Sequence, residues 1–143
     1  MLLEWAFTAS KRGTCGRLAV GAVIARDSRP IAAGYVGVDP GEPHCVEFRC
    51  DLSQPCTRTK HAEINALEFA KKYAIDVRGA DMFVTDSPCP ECAVAIDEAG
   101  IARVFFNRQY RVSQGINYLL NHFVEVHQVL LNGMQHRITR ALP

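Results

Sequence analysis

The pattern of apolar and polar positions along the chain predicts a layered domain of alternating helices and strands. Residues 2–11 carry apolar side chains at helical spacing, which predicts a short amphipathic helix that covers one face of a sheet. Two apolar, partly β-branched stretches, 20–25 and 31–35, flank the turn-forming sequence 27–30 and predict a β-hairpin.

The second half of the chain continues with helical and extended stretches in turn. The predicted helices are 62–73, 92–99 and 115–122, and the predicted strands are 81–85, 104–107 and 123–126. Gly100 is a plausible C-terminal cap of the second of these helices. Strands that alternate with helices predict a parallel portion of the sheet, with ligands bound at the ends of its strands.

Two segments have no predicted element. Residues 38–60 contain Pro, Gly, Cys and charged residues without a sustained period, and so long an insert needs something to hold it. Residues 127–143 form a tail of uncertain structure: 129–131 could pack on the core and 135–143 could be disordered. We find no repeat and expect a single domain over residues 1–143.

Composition narrows the classes of function. Sixteen Lys and Arg against fifteen Asp and Glu give a formal net charge of +1, without a basic run that would grip a long polyanion. This favours a small-molecule substrate over a nucleic acid. The sequence shows no signal peptide and no apolar run of spanning length, so we expect a cytoplasmic protein without a membrane partner. In a reducing cytoplasm the six cysteines are expected to bind metal more readily than to form disulfides.

The candidate chemistry lies in His61-Ala62-Glu63 and in Pro88-Cys89-Pro90-Glu91-Cys92. One histidine and two cysteines suit Zn²⁺, and three protein ligands leave a fourth tetrahedral position for water, as in catalytic sites. Glu63 is a poor extra ligand but is placed to move a proton between water and a substrate. The order H-x-E then P-C-x-x-C is the known signature of zinc nucleobase deaminases.

Each half of this signature has a plainer interpretation when it stands alone. A Cys-x-x-Cys pair often forms a structural zinc knuckle or a redox pair, and a His-x-Glu pair often starts a helix. Residues two apart diverge by about 200° within a helix, so His61 and Glu63 share a site only if His61 precedes or opens the first turn. The helical runs that follow His61 and Cys89 allow this. Two positive helix ends would then face one metal and favour thiolates.

On these residues the chain resembles the deoxycytidylate (dCMP) deaminases of the cytidine deaminase-like superfamily, particularly the short microbial and phage forms. The resemblance covers residues 5–126. It includes Thr14-Cys15, Val20-Gly21-Ala22-Val23-Ile24, Gly34-Tyr35, Pro43-His44-Cys45, His61-Ala62-Glu63-Ile64-Asn65-Ala66 and Thr85-Asp86-Ser87-Pro88-Cys89. It implies a three-layer α/β fold, a mixed five-stranded sheet flanked by helices. It also implies catalytic zinc on His61, Cys89 and Cys92, with Glu63 as the proton shuttle.

Related families differ at diagnostic positions. Nucleoside cytidine deaminases usually have a cysteine where this chain has His61, and transfer-RNA adenosine deaminases usually have Glu-Pro-Cys where it has Ser87-Pro88-Cys89. The resemblance therefore implies hydrolytic deamination of dCMP to dUMP and ammonia, which supplies thymidylate synthesis. The alternatives are a tRNA adenosine deaminase-like enzyme and a non-catalytic, zinc-stabilised nucleotide-sensing subunit.

The remaining cysteines form a second candidate metal site. Cys45, Cys50 and Cys56 lie in the 38–60 insert, and Cys15 lies where related enzymes place a ligand of structural zinc. Four thiolates would close a tetrahedral site and anchor the insert. The alternatives are that some of them are merely small buried residues or that His44 replaces one of them.

Substrate contacts are expected from Tyr35, Val36, Ser87, Tyr110 and Arg111. The family turn is usually Gly-Tyr-Asn-Gly, whose asparagine helps to bind the sugar, whereas Val36 has no side-chain hydrogen bond to offer. Either backbone groups bind the sugar or the preferred nucleotide differs from dCMP.

For the phosphate, the loop cations Arg58, Lys60 and Arg111 are candidates. Arg111 is favoured because it belongs to a Tyr-Arg pair found in related dCMP deaminases and because a guanidinium can grip phosphate with two hydrogen bonds. The alternative is a solvated surface arginine. The resemblance further implies a homo-oligomer, in relatives often a hexamer, with dCTP and dTTP as effectors and Mg²⁺ accompanying the effector. If the chain is viral, the location becomes the host cytoplasm.

Overall fold

The computed structural model describes residues 1–13, 19–37, 60–110, 112–130 and 132–143. These residues form helices α1 (Leu2–Ser10), α2 (Ala62–Lys72), α3 (Pro90–Glu98) and α4 (Gln114–Asn121). They also form strands β1 (Gly21–Arg26), β2 (Arg29–Tyr35), β3 (Asp81–Asp86), β4 (Arg103–Arg108), β5 (Glu125–Val129) and β6 (Gln135–Ile138). None of the helices in these ranges is long and apolar enough to cross a membrane.

The strands form one mixed sheet in the order β2-β1-β3-β4-β5-β6. Strands β3, β4 and β5 are parallel, which confirms the parallel portion expected from the alternation of strands and helices. The neighbours β1 and β2, β1 and β3, and β5 and β6 are antiparallel. The expected α/β architecture is confirmed, but within the described ranges the sheet has six strands rather than five.

The predicted hairpin is tighter than the sequence indicated. Only Asp27 and Ser28 form the turn between β1 and β2, and Arg29 and Pro30 already belong to β2. Both turn residues have positive φ, 52° and 63°, as a two-residue turn requires when it follows the twist of its strands.

Helices α1 and α2 pack on opposite faces of the sheet. Gly21 of β1 faces α1, and a Cβ there would overlap the backbone of Ala6. Gly34 of β2 faces α2, and a Cβ there would overlap the backbone of Ala62 and Ala66. Because Gly34 pairs with Ala22, the neighbour of Gly21, the two helices lie on opposite faces.

The main hydrophobic core lies between the sheet and helices α2, α3 and α4. Its members include Ile24, Met82, Ile96, Phe106 and Leu119, each shielded from solvent. Alternate residues of β1, β3 and β4 point into this core and pack against the helices. This packing also positions the ends of α2 and α3.

The last part of the chain differs from its prediction. The strand expected at 123–126 begins at Glu125, because Phe123 occupies a turn with φ of 62° and is 96% exposed. The tail expected to be of uncertain structure contributes β6, whose exposed residues 135–137 and partly buried Ile138 give no apolar alternation to detect. Leu142 is bound through its backbone N–H and C=O to the side chain of Asn117.

Replacement of Gly34 tests the close approach of α2 to β2. In Gly34→Ala the new methyl group meets helix backbone that cannot swing away, so we expect a loss of about 1–3 kcal/mol in the free energy of unfolding. Denaturant unfolding measures this loss. Ala33→Ser, at the adjacent exposed position of the same strand, is the control and should change stability little. Equal stability of Gly34→Ala and Ala33→Ser would contradict the packing described here.

Candidate active site

The first ligand group is held at the start of α2. His61 is the N-cap residue of this helix, with extended backbone angles (φ −68°, ψ 154°), so its side chain leaves the chain before the first turn. Glu63 follows in that first turn and is 4% exposed. The geometry demanded by the His-x-Glu spacing is therefore present.

Two sets of hydrogen bonds fix the start of α2 against the sheet. Gly37 and Lys60 exchange N–H···O=C hydrogen bonds of 3.3 and 2.8 Å, which close the base of the 38–59 insert. The side-chain amide of Asn65 donates to the carbonyl oxygen of Tyr35 at 2.7 Å. The end of β2 therefore positions the first turn of α2.

The second ligand group is held at the start of α3. Cys89 is the N-cap residue, again with extended backbone angles (φ −71°, ψ 168°), and Pro90 opens the helix. Pro is favoured at this position because its missing N–H would have no partner there. Ala99 is the C-cap residue of the helix, and Gly100, immediately after it, has the positive φ (79°) that is common at this position. Cys92 lies one turn into the helix, on the side of Cys89.

Neighbouring elements hold the cysteine turn in place. The N–H of Ser87 donates to the carbonyl oxygen of Arg108 at 2.8 Å, and the N–H of Tyr110 donates to the hydroxyl oxygen of Ser87 at 2.7 Å. Gly115 of α4 lies so close to Pro88 that a Cβ there would overlap its carbonyl oxygen. The turn is thus fixed between the end of β4 and the start of α4.

The three proposed ligands converge. The Nδ1 atom of His61 lies 3.3 Å from Cys89 Sγ and 3.3 Å from Cys92 Sγ, and the three ligand atoms lie within 4.8 Å of one another. Zinc bonds of about 2.3 Å to sulfur and about 2.0–2.1 Å to nitrogen, at a tetrahedral angle, place such atoms roughly 3.6 Å apart. The donor set and its spacing therefore fit Zn²⁺.

The electrostatics of the cluster also fit a dication. Hydrogen bonding by Cys92, assisted by His61, lowers the pKa of the Cys89 thiol to about 4. The adjacent Cys89 and burial raise the pKa of Cys92, so two neighbouring thiolates are unfavourable without a cation. The hydrogen bond with Cys89 raises the pKa of His61. A bound Zn²⁺ relieves this repulsion and stabilises both thiolates.

Glu63 stands beside the ligands and is suited to proton transfer. Its Oε2 atom lies 3.5 Å from Cys92 Sγ, and desolvation by burial raises its pKa to about 7. A carboxyl group with a pKa near neutrality can both accept and release a proton under ordinary conditions.

A cavity opens at the ligand cluster, at the carboxyl ends of β3 and β4. Its lining residues are Val20, Val36, His61, Glu63, Asp86, Ser87, Cys89 and Tyr110. The ends of parallel strands are the usual place for ligand binding in α/β sheets. One cavity therefore brings together two of the three ligand residues, His61 and Cys89, with a buried carboxyl group and both apolar and polar walls.

The residues predicted to bind substrate are placed differently from one another. Val36, Ser87 and Tyr110 line the cavity; Val36 is 3% exposed and packs into the core. Tyr35 is not among the described residues that line it, since Tyr35 pairs with Gly21 and so faces the side of the sheet that α1 covers.

Several predicted residues lie outside the described part of the chain. They are Cys15, Cys45, Cys50 and Cys56 of the second candidate zinc site, its substitute ligand His44, and the phosphate candidates Arg58 and Arg111. Lys60, the remaining phosphate candidate, is described, and its Nζ binds Glu68 at 3.0 and 3.1 Å.

Sequence reasoning gave no role to Asp86 or Val20, which also line the cavity. Asp86 is the last residue of β3 and pairs in register with Arg108 of β4. The only available signal was its place in the motif just before the cysteine turn. An acidic residue at a strand end is common, and its pairing depends on a register that one sequence does not show.

The comparisons with known proteins agree with this geometry. The family model described as the cytidine and deoxycytidylate deaminase zinc-binding region matches residues 1–108. ComE operon protein 2 of Bacillus subtilis is 40% identical over 86% of this chain and 66% of its own length. The deoxycytidylate deaminase of Enterobacteria phage T2 is 30% identical over 76% of this chain and 79% of its own length.

A solved structure gives the same result at the level of the fold. The dCMP deaminase of cyanophage S-TIM5, crystallised in complex with dCMP and dUMP, superposes with a TM-score of 0.82 at 30% identity. The superposition covers 89% of this chain and 93% of that one. The family model includes all three ligand atoms and Glu63 within its matched residues. The chain therefore belongs to the family of cytidine and deoxycytidylate deaminases that this zinc-binding region defines.

Proposed function

We propose that this chain is a zinc-dependent hydrolase that converts dCMP and water to dUMP and ammonia, a reaction that supplies thymidylate synthesis. The observation that carries the proposal is the convergence of His61, Cys89 and Cys92 beside the buried Glu63, at a cavity that His61, Glu63 and Cys89 line. The relatives support the choice of nucleotide: the T2 protein is named a deoxycytidylate deaminase, and the cyanophage enzyme was crystallised with dCMP and dUMP.

The chain's own residues divide the work of this reaction. His61, Cys89 and Cys92 would hold Zn²⁺, which when bound lowers the pKa of a water molecule and makes it a nucleophile at neutral pH. Glu63 would accept a proton from that water and donate it to N3 of the cytosine ring while the oxygen adds to C4. It would then move the proton of the new C4 hydroxyl group to the amine, which leaves as ammonia when the C4–N bond breaks. Burial of Glu63 supports this role because it raises the pKa of the carboxyl group to about 7.

The proposed contacts with the nucleotide follow the family resemblance and the cavity. Val36, Ser87 and Tyr110 line the cavity and are proposed to contact the nucleotide, and Arg111 is proposed to bind the phosphate. Tyr35 was expected to join them, but its place on the α1 face of the sheet does not support a contact. A net charge of +1, without a basic run, supports a small nucleotide rather than a nucleic acid. The near-neutral charge and Ser87 before Pro88-Cys89 argue against a transfer-RNA substrate, and the intact Glu63 argues against a purely sensory role.

The wider proposals rest on the family resemblance. Residues 1–143 are proposed as one catalytic domain, with a second, structural zinc on Cys15, Cys45, Cys50 and Cys56 that anchors the 38–60 insert. We also propose that the protein is a cytoplasmic homo-oligomer, as many relatives are hexamers. Its effectors would be dCTP and dTTP, with Mg²⁺ accompanying the effector.

A substrate panel tests the proposed reaction. The purified, zinc-loaded chain is assayed for release of ammonia from dCMP, deoxycytidine, dCTP and 5-substituted dCMPs, with inosine formation on transfer RNA measured in parallel. We expect dCMP to give the highest kcat/KM and to yield dUMP. A higher kcat/KM on transfer RNA, or tight binding of dCMP without any release of ammonia, would refute the proposal.

Loss of a cysteine ligand should remove metal and activity together. In Cys89→Ser or Cys92→Ser a hydroxyl group replaces a thiolate, so we expect about one zinc fewer per chain and no measurable deamination. Elemental analysis and the ammonia assay report the two effects. Glu91→Gln, an exposed position between the two cysteines, should keep both. Full turnover by a cysteine variant with less zinc would contradict the ligand assignment.

Glu63→Gln should separate metal binding from catalysis. The amide retains the size of the side chain but cannot carry the proton, so we expect unchanged zinc content and a fall in kcat of roughly 10²- to 10⁴-fold. Glu68→Gln, at an exposed position on the same helix, serves as the control. A Glu63→Gln enzyme with near wild-type kcat at neutral pH would remove this residue from the mechanism.

The second zinc has its own signature. If Cys15, Cys45, Cys50 and Cys56 bind it, elemental analysis should find about two zinc ions per chain. Cys50→Ala should then lower the melting temperature while the zinc at His61 is retained. A well-folded, fully active preparation with a single zinc per chain would rule this site out.

A further inference from the structure

One carboxylate in the cavity takes part in neither metal binding nor proton transfer. Asp86 ends β3, three residues before Cys89, and lines the cavity together with His61 and Glu63. Its side chain is 14% exposed, and Arg108 of β4 donates from Nε to its Oδ1 atom at 2.6 Å. The Oδ2 atom accepts no hydrogen bond from any residue in the described ranges.

The same two strands carry an almost identical pair at their other end. Asp81 and Arg103 are opposite each other in the register of β3 and β4, just as Asp86 and Arg108 are. Arg103 binds both oxygens of Asp81, from Nε at 2.8 Å and from Nη2 at 2.7 Å. At the cavity, in contrast, Nη2 of Arg108 turns to the carbonyl oxygen of Ala19 at 3.5 Å, so Oδ2 of Asp86 has no donor among the residues that the structure describes.

The other side chains in the cavity leave few acceptors for a substrate. Val20 and Val36 are apolar, His61 and Cys89 are metal ligands, and Glu63 is reserved for proton transfer. The hydroxyl oxygen of Ser87 already accepts the N–H of Tyr110. Asp86 is therefore the one carboxylate in the described lining that combines a fixed position with an open acceptor atom.

We infer that Asp86 is a specificity-determining residue that accepts a hydrogen bond from the 3′-hydroxyl group of the nucleotide's deoxyribose. The inference rests on the proposed deamination of dCMP. In dCMP this hydroxyl is the only one on the sugar, since the 5′ oxygen carries the phosphate. The 4-amino group is the other strong donor, but it must face the metal ligands and Glu63 in order to leave.

The pair with Arg108 explains how a carboxylate can serve an anionic substrate. An isolated carboxylate would repel the 5′-phosphate, whereas the guanidinium beside Asp86 neutralises its charge and fixes its orientation. Asp86 then provides at the cavity wall the polar contact that Val36 lacks. A nucleotide without the 3′-hydroxyl group should bind less well, because it would leave the Oδ2 atom of the partly buried Asp86 without a hydrogen bond.

A substrate and variant cycle tests this contact. The kcat/KM values for dCMP and for 2′,3′-dideoxycytidine 5′-monophosphate are measured with wild type, Asp86→Ala, Asp86→Asn and Asp81→Ala. A hydrogen bond to a charged group corresponds to roughly 10- to 100-fold in kcat/KM. We expect wild type to prefer dCMP by about this factor, and Asp86→Ala to lose the preference by falling on dCMP alone.

The other variants separate binding from structure. Asp86→Asn keeps one acceptor oxygen and should lose less of the preference, and Asp81→Ala, the matched pair at the far end of the strands, should keep all of it. Calorimetric binding of dUMP and of 2′,3′-dideoxyuridine 5′-monophosphate should show the same preference without turnover. If Asp86→Ala does not fold, the wild-type preference and Asp86→Asn carry the test.

The failures of the two proposals are distinguishable. A wild type that deaminates dCMP and its dideoxy analogue equally well, or an Asp86 variant that loses both equally, overturns the contact while the deamination of dCMP stands. A zinc-loaded wild type that deaminates neither nucleotide overturns the proposed function, and this contact with it.

Discussion

The site depends on holding the starts of two helices together at one edge of the sheet. His61 and Cys89 are both N-cap residues with extended backbone, so each projects its side chain from the positive end of a helix. Gly34 and Gly115 allow helix and loop backbones to approach more closely than a Cβ would permit. If either approach were lost, the ligand atoms 3.3 Å apart would separate and the metal would have no site.

This constraint also explains the unusual ionisation of the cluster. Two thiols, an imidazole and a carboxyl group lie close together, with Glu63 and Cys92 buried, and their pKa values are displaced in opposite directions. A divalent cation is the simplest group that stabilises the thiolates together. Glu63 remains outside the ligand set, where burial raises the pKa of its carboxyl group and suits it to proton transfer.

Much of the fold and of the metal site could be predicted from the sequence because local signals and global structure agree. Strong helix formers follow directly after His61, and α2 occupies Ala62–Lys72 within the predicted 62–73. The start of β5 is predicted two residues too early, because the sequence pattern assigns Phe123 to the strand, whereas it lies in an exposed turn with positive φ. Strand β6 escaped notice because it is a mostly exposed edge strand without apolar alternation.

The role of Asp86 was hidden for a different reason. It depends on strand register and on the direction in which Arg108 points, and neither leaves a trace in the order of residues. The contrast between the closed pair at Asp81 and the open pair at Asp86 is visible only when both ends of β3 are seen together. The structure therefore adds the strand register and the side-chain directions, which the sequence motif does not contain.

The central claim is that one zinc lies among His61, Cys89 and Cys92. A crystal of the zinc-loaded chain, with data collected on both sides of the zinc absorption edge, tests it most directly. The account predicts an anomalous difference peak about 2.0–2.1 Å from His61 Nδ1 and about 2.3 Å from each Sγ atom. An active, zinc-containing crystal without a peak among these three atoms would contradict it.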